Sequence, residues 1–435
     1  MDVNIRAVVL DILTEIEKEG EFSHITINNA LLKYQYLDRT QRAFINRLSL
    51  GTIECRIEMD YILNQYSKTP VNRMKPLIRR IMRMAVYQII YMENVPDSAA
   101  CNEAVKLAAK RGFTGLKGFV NGVLRNISRN KDNITYPDKA NETKKYLSVK
   151  YSMPEWIIEL WNTNMSYEEI EDILAGMKKD KKTYIRCNTK KTDIAGLTAA
   201  LEAEGVTVTN EGIDKRIDYA LKISGYDYLG GLKSFRDGLF FVQDISSMLA
   251  SQGGFIKRDA YVIDVCAAPG GKSINAALMA DIGHVSSRDI SGRKVSLIKE
   301  NAERLGIDNI TYKVWDAVKK DEESVEKADV LICDLPCSGL GIIGRKPDIK
   351  YNVTYEKIKE LALLQRKILS TVWEYVKKDG ILIYSTCTVT PEENAENTEW
   401  LVNNYPFELI GKPEQIMPQD GTGDGFYIAR LKRTE

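Results

Sequence analysis

Apolar positions in the first third of the chain recur at helical spacing. Ile5, Val8, Ile12 and Ile16 fall three and four residues apart, as do Leu77, Ile81, Ala85 and Ile89, so each set lines one helix face. The second set lies in an arginine-bearing stretch, Ile78-Arg79-Arg80-Ile81-Met82-Arg83. Pro96-Asp97-Ser98 reads as a helix start with Ser98 as N-cap. Residues 1–135 are therefore expected to be all-helical, and the polar stretch Lys131 to Glu142, with Pro137, suits a linker.

The pattern then changes twice. In 143–240, Tyr184-Ile185-Arg186-Cys187-Asn188, Val206-Thr207-Val208-Thr209 and Tyr219-Ala220-Leu221-Lys222-Ile223 read as strands around a helix at Leu197, Ala200 and Leu201, a small α+β module. In 241–435, strand candidates at 261–266, 284–289, 309–314, 329–334 and 380–385 alternate with helices. One helix carries Val295, Ile298, Ala302 and Leu305; another carries Leu361, Leu364, Ile368, Val372 and Val376 and is read as ending in Lys377-Lys378-Asp379-Gly380. Such alternation predicts an α/β, doubly wound sheet with helices on both faces.

Composition narrows the class. The 435 residues suffice for two or three domains, and 44% hydrophobic with 28% charged residues is ordinary for a soluble protein. No apolar run is long enough for a membrane span, and the start Met1-Asp2-Val3 lacks a signal-peptide layout. The protein is therefore expected to be cytoplasmic. Seven scattered cysteines without a CxxC pair, and two histidines, argue for free thiols and against a metal site. Net charge is only +1, but residues 1–140 carry 21 Lys and Arg against 15 Asp and Glu, and the remainder 40 against 45. A basic front on a neutral chain hints at a polyanionic partner; unevenly solvated charge is the plainer alternative.

The candidate chemistry sits at the carboxyl ends of the strands, where doubly wound sheets bind ligands. The first strand runs into Cys266-Ala267-Ala268-Pro269-Gly270-Gly271-Lys272, whose small residues let backbone approach a ligand. A side chain at Gly270 or Gly271 is expected to intrude on that ligand. Asp289 ends the second strand, where an acid can accept from ribose hydroxyls. The GxGxxG spacing is absent, and Cys266 stands where a P-loop needs glycine. The remaining candidate is a nucleoside without pyrophosphate, foremost S-adenosylmethionine. Asp316, after the third strand, is a partner for adenine or simply a loop cap. The fourth and fifth strands end in Asp334-Leu335-Pro336-Cys337-Ser338 and Ser385-Thr386-Cys387, bringing two cysteines and a carboxylate into one crevice. A thiolate is a good nucleophile towards an electron-poor ring. Added to carbon-6 of a cytosine, it makes carbon-5 reactive towards a methyl donor. Cys55, Cys101, Cys187 and Cys333 are read as structural.

Three segments, Cys266 to Lys272, Asp334 to Ser338 and Ser385 to Cys387, resemble the motifs of RNA 5-methylcytosine methyltransferases. Asn102-Glu103-Ala104-Val105 and Phe119 to Arg125 resemble helices of NusB-type domains. Arg345-Lys346-Pro347-Asp348-Ile349, Pro391-Glu392-Glu393-Asn394 and Asp424-Gly425-Phe426-Tyr427 also fit this family. The resemblance spans nearly the whole chain and is weakest over 143–240. It implies a NusB-like helical RNA-binding domain, a ferredoxin- or RRM-like module and a Rossmann-like methyltransferase domain. It implies S-adenosylmethionine bound by Cys266, Ala267, Ala268, Pro269, Gly270, Gly271, Lys272, Asp289, Asp316 and Asp334. It further implies Cys387 as nucleophile, Cys337 assisting release, 16S ribosomal RNA as partner and a monomer as the acting unit. Spacing alone does not order the two cysteines. The chain departs from the family pattern at Leu335, at Trp315 and at Ser286-Ser287-Arg288 before Asp289. Two other readings stand beside this one: the same chemistry on transfer RNA or another RNA, and a non-catalytic NusB-like binding factor.

Overall fold

A computed structural model describes residues 3–19, 22–179, 181–253, 255–420 and 423–435. The chain forms two compact units. One comprises Met1–Lys178 with Arg345–Asn352, the other Lys179–Gly344 with Val353–Glu435. No helix among the described residues is long and apolar enough to cross a membrane.

The first unit is helical. Its central helix, Pro76–Tyr91, is buried on most of its circumference, with Ile78, Ile81, Met82, Ala85 and Ile89 in the core. Two of its arginines are buried and paired inside the unit: Arg80 lies 2.6 Å from Glu17, and Arg83 lies 2.6 Å from Asp60. Helix Asp97–Lys110 begins where expected, but Ser98 makes no capping bond. Asp97, in the first turn, instead accepts from Ser128 Oγ at 2.9 Å.

The polar stretch 131–142 does not separate two bodies. Glu58, 1% exposed, accepts from Tyr91 Oη at 2.5 Å and Tyr136 Oη at 2.7 Å, and pairs with Lys178 at 3.6 Å. Its own N–H donates to Ser152 Oγ at 2.9 Å. Helices Thr143–Tyr151, Glu155–Asn162 and Tyr167–Lys178 are thereby joined to the helical unit, and the compact division falls after Lys178. The returning segment Arg345–Asn352 is pinned to the same unit. Asp348 accepts from Ser23 N at 3.2 Å and from Ser23 Oγ, Lys350 Nζ donates to Glu54 O at 2.8 Å, and Arg56 stacks 3.5 Å from the Tyr351 ring centre.

The second unit contains two sheets. In the smaller, β1 (Thr183–Cys187), β2 (Thr207–Thr209), β3 (Ala220–Ser224) and β4 (Phe240–Val242) pair antiparallel in the order β2-β3-β1-β4, with helix Ile194–Ala203 beside them. The fourth strand, unforeseen in the pattern, closes the module. The larger sheet contains β5 (Tyr261–Asp264), β6 (His284–Asp289), β7 (Ile310–Val314), β8 (Ala328–Asp334), β9 (Val376–Thr386), β10 (Phe407–Leu409), β11 (Glu414–Ile416) and β12 (Phe426–Arg433). Its order is β10-β12-β9-β8-β5-β6-β7, with β11 on β12. From β9 to β7 all pairs are parallel, and β12 adds antiparallel to β9. This is the doubly wound arrangement with its switch point between β5 and β8.

One sequence expectation is corrected. Helix Tyr355–Val372 ends before Lys377, and Lys377 to Gly380 belong to β9. They bulge out between the pairs Val376↔Ala328 and Ile381↔Val330, and Asp379 adopts φ +64°. The glycine marks a strand irregularity, not a helix stop. The polar residues of β6 do not weaken it, because each is bonded. Arg288 donates to Ser286 Oγ at 3.1 Å, Asp321 at 3.0 Å and Ser324 Oγ at 2.7 Å, and Ser287 Oγ lies 2.7 Å from Ser273 Oγ.

Replacing Glu58 by alanine strands two phenol hydroxyls and a lysine in the helical unit. We expect Glu58→Ala to cost about 3 kcal/mol in denaturant unfolding, with a far-UV spectrum still helical; an unchanged midpoint would show that this carboxylate does not join the helices.

Candidate active site

The carboxyl ends of β5, β6, β7, β8 and β9 surround a cavity of about 310 Å³, within the range of roughly 300–1,000 Å³ for small-molecule sites. Cys266 and Ala268 line it from β5, Asp289 and Ile290 from β6, Trp315 and Asp316 from β7. Asp334, Pro336 and Cys337 line it from β8, and Cys387 from β9. The expected acids and cysteines thus meet in one place.

The loop after β5 turns tightly into helix Gly271–Met279. Gly270 sits at φ +104°, where an L side chain is strained, and a Cβ there would also lie 3.1 Å from Ile298 Cγ2. A Cβ on Gly271 would be directed at Gln243 Nε2 and Phe241 Cε1, both at 3.5 Å. Neither glycine borders the cavity. They shape the turn that leads from β5 into the helix and its packing. Ala267, Pro269 and Lys272 likewise do not border the cavity.

Each acid is braced. Asp289 is buried and accepts from Ala268 N and Ser291 N, each at 3.3 Å. Asp316 lines the cavity and also accepts from Val318 N at 3.2 Å, so ligand-facing and loop-capping roles coincide. Asp334 receives Lys272 Nζ at 2.7 Å on one oxygen and Ser385 Oγ at 2.8 Å on the other. Trp315, where the family pattern has glycine, donates its indole N–H to Lys319 O at 2.8 Å, and Lys313 lies 4.3 Å from its ring centre.

Cys337 and Cys387 face each other with their sulfurs 3.2 Å apart. The hydrogen bond to Cys387, together with burial, raises the Cys337 thiol well above its ordinary range. Burial also raises Cys266, with Asp264, Asp289 and Asp334 adding to the effect. The chain after Cys337 is held close: Gly341 N donates to Cys387 O at 3.1 Å, and Gly425 N donates to Gly341 O at 2.9 Å. A Cβ on Gly341 would lie 2.0 Å from Gly425 O, so only glycine fits.

Several residues of the site went unmarked in the sequence. Asp264, fully buried, accepts from Ser273 Oγ at 2.6 Å, while its other oxygen has no partner. Leu364 and Ile368 add apolar lining. Behind the cysteines, Glu393 accepts from Ser338 N at 2.7 Å and from Thr390 Oγ1 at 2.7 Å. Only the surrounding Pro-Glu-Glu-Asn stood out, without a role.

The residues present fit S-adenosylmethionine. The cavity presents the carboxylates of Asp289, Asp316 and Asp334, suited to a ligand with ribose hydroxyls and net positive charge and unsuited to a pyrophosphate. Comparison with known proteins agrees. Residues 256–432 match the family described as 16S rRNA methyltransferase RsmB/F, residues 3–129 the NusB family, and residues 153–224 the Methyltr_RsmF/B-like ferredoxin-like domain. The fold and site define an S-adenosylmethionine-dependent RNA methyltransferase. The chain is 35% identical to the probable ribosomal RNA small subunit methyltransferase B of Bacillus subtilis (strain 168), covering 99% of both chains. It is 31% identical to the probable protein of that name from Synechocystis sp., over 99% of this chain and 100% of the other. The solved structure of PH0851 aligns with TM-score 0.82 and 25% identity over 99% of each chain. The chain belongs to the ribosomal RNA small subunit methyltransferase B family.

Asp264 gives the site a pH signature. Burial raises its carboxyl from 3.8 to about 7. The folded state therefore binds a proton that the unfolded state has released, and stability falls as pH rises through that window. In urea titrations, wild type should lose stability relative to Asp264→Asn between about pH 4 and pH 7, with a constant gap above. Parallel curves across this range would rule out the buried acid.

Proposed function

We propose that this protein methylates carbon-5 of a cytosine in 16S ribosomal RNA through a covalent cysteine adduct. The observation that carries the reading is the thiol pair. Two sulfurs 3.2 Å apart stand at adjacent strand ends over the cavity, beside Asp334. A binding protein has no use for such a pair. The ribosomal substrate is supported by the relatives named for that activity.

The cofactor supplies an electrophilic methyl group. The chain's own residues prepare the ring. Cys387 adds as thiolate to carbon-6, which places electron density on carbon-5. Asp334, held by Lys272 and Ser385, accepts a hydrogen bond from the cytosine amino group as charge shifts. After transfer, the carbon-5 proton passes to solvent, its bonding electrons re-form the carbon-5–carbon-6 double bond, and Cys387 leaves as thiolate, with Cys337 assisting release. The base must leave any stack to reach this position. All these side chains come from one chain, which supports a monomer, and we place the reaction in the cytoplasm.

The roles of the two thiols separate in a gel. Cys387→Ala should give neither methylated RNA nor adduct. Cys337→Ala should accumulate a protein–RNA adduct that survives denaturing electrophoresis and is absent from the double variant. An adduct in Cys387→Ala instead would exchange the roles, and full activity of Cys387→Ala would overturn the mechanism.

We assign RNA docking to exposed basic residues of the helical unit, such as Lys110 and Lys117 flanking the turn between helices Asp97–Lys110 and Lys117–Arg129. Arg80 and Arg83 are spent on internal acids. Phosphate contacts position an RNA without reading its sequence. The double charge reversal Lys110→Glu, Lys117→Glu should flatten the plot of log affinity against log salt by about 1.5 in slope, leaving adenosylmethionine binding intact by calorimetry. An unchanged slope would move the docking surface elsewhere.

A further inference from the structure

Glu393 is completely buried at the end of the short turn Pro391–Glu393, behind the two cysteines and outside the cavity. A buried carboxylate is costly unless donors surround it. Its donors are neutral. Ser338 N–H at 2.7 Å and Gln365 Nε2 at 3.3 Å reach one oxygen; Ser338 Oγ at 2.5 Å and Thr390 Oγ1 at 2.7 Å reach the other. Ser338 follows Cys337 directly in the chain. Because the Ser338 hydroxyl gives its proton to Glu393, its oxygen is left to accept from Thr388 Oγ1 at 2.8 Å. Thr388 follows Cys387.

Side chains beside this turn hold the other flanks. Gln365 Nε2 also donates to Pro336 O at 2.8 Å, just before Cys337. Asn394 Nδ2 donates to Thr388 O at 3.1 Å, and Thr386 Oγ1 donates to Asn394 Oδ1 at 2.5 Å. Both thiol-bearing loops are therefore tied to the adjacent residues Glu393 and Asn394, and the Glu393 side chain is bonded to one loop directly and, through the Ser338 hydroxyl, to the other.

We propose that Glu393 is the positioning residue of the thiol pair, fixing the separation of Cys337 and Cys387 through Ser338 and Thr388. It touches neither sulfur. The inference rests on the reading that the two cysteines act together on the base. Removing the acceptor strands the Ser338 N–H and the hydroxyls of Ser338 and Thr390, and the loop shifts to rebond them. Burial raises the Glu393 carboxyl, so uncharged glutamine is a close mimic. Its oxygen can accept from Ser338 N–H and Gln365, and its amide can donate to hydroxyls that rotate to receive it.

The test uses the full chain and a probe that needs no RNA. Phenylarsine oxide binds tightly only where two thiols can reach one arsenic, and Cys337→Ala defines the background. We expect Glu393→Ala to fall to that background. Its kcat on a 16S ribosomal RNA transcript should drop about 100-fold, the cost of a misplacement near 1 Å, with KM unchanged, whereas Glu393→Gln should stay within about threefold of wild type in both measurements. If Glu393→Ala does not fold, Ser338→Ala removes the hydroxyl joining the two loops and should weaken arsenical binding and kcat together. Wild-type arsenical affinity in Glu393→Ala or Ser338→Ala would overturn the proposal, as would glutamine failing like alanine. An active Cys387→Ala would sink the covalent mechanism while leaving the arsenical readout of Glu393 intact.

Discussion

Asp334 on β8 lies directly across from Ser385 on β9 in a parallel pair, and Leu335 N donates to Ser385 O at 3.2 Å. A parallel ladder permits no drift here, because a slip of one residue would turn every side chain to the other face. Three residues beyond Asp334 comes Cys337, and two beyond Ser385 comes Cys387. Their approach to 3.2 Å follows from this register and the turns that leave it. The same register lets Ser385 hold one oxygen of Asp334 while Lys272, from the loop after β5, holds the other. The thiol pair, the carboxylate and the loop after β5 are thus set by adjacent strands, the rigid part of the fold, and the loops contribute only the last few ångströms.

Charge and burial in the crevice favour cations and hold the Cys266 and Cys337 thiols in their protonated form. The cavity carries three acids with Lys294 at its edge, and the Lys272 ammonium is already committed to Asp334. Cys266 and Cys337 both sit above their ordinary range. Two thiolates 3.2 Å apart would repel strongly in a partly dehydrated site, which suits the proposed mechanism, in which one cysteine attacks while the other assists the breakdown.

The architecture was legible where sequence periodicity and strand-end chemistry coincide. Strands β5, β6 and β8 are buried, and the motifs at their ends carry small residues and cysteines that have few bland explanations. What escaped notice did so for physical reasons. The short strands β10 and β11 are three residues each and half-polar, indistinguishable from loops by pattern. Lys377 to Gly380 mimic a helix terminus because basic residues and glycine also suit a bulge. The packing of helices 143–178 on the helical unit is equally invisible in the sequence, since the bond between Tyr136 and Glu58 spans 78 residues and leaves no local trace. Glu393 was visible only as part of Pro-Glu-Glu-Asn, because its partner Ser338 lies 55 residues away. The positive φ of Gly270 and the packing of the two glycines against Ile298 and Phe241 left no trace in the sequence beyond the residue type itself.

The segment Arg345–Asn352 bears on how such a chain folds. Ser23 receives its partner Asp348 across 325 residues, and Glu54 O receives Lys350 across 296. Residues 1–178 therefore lack part of their own packing until residue 352 has been made. Lys350 is buried deeply enough to lower its ammonium to about 8, a cost only a preformed acceptor such as Glu54 O offsets. Contacts of such sequence separation form late, because loop closure must precede the bonds that reward it. The chain reaches this segment eight residues after Cys337, through Gly339 and the tightly packed Gly341. Completing the helical unit thus draws on the same stretch of backbone that follows the cysteine loop, so that unit is not finished by the residues of its own half of the sequence.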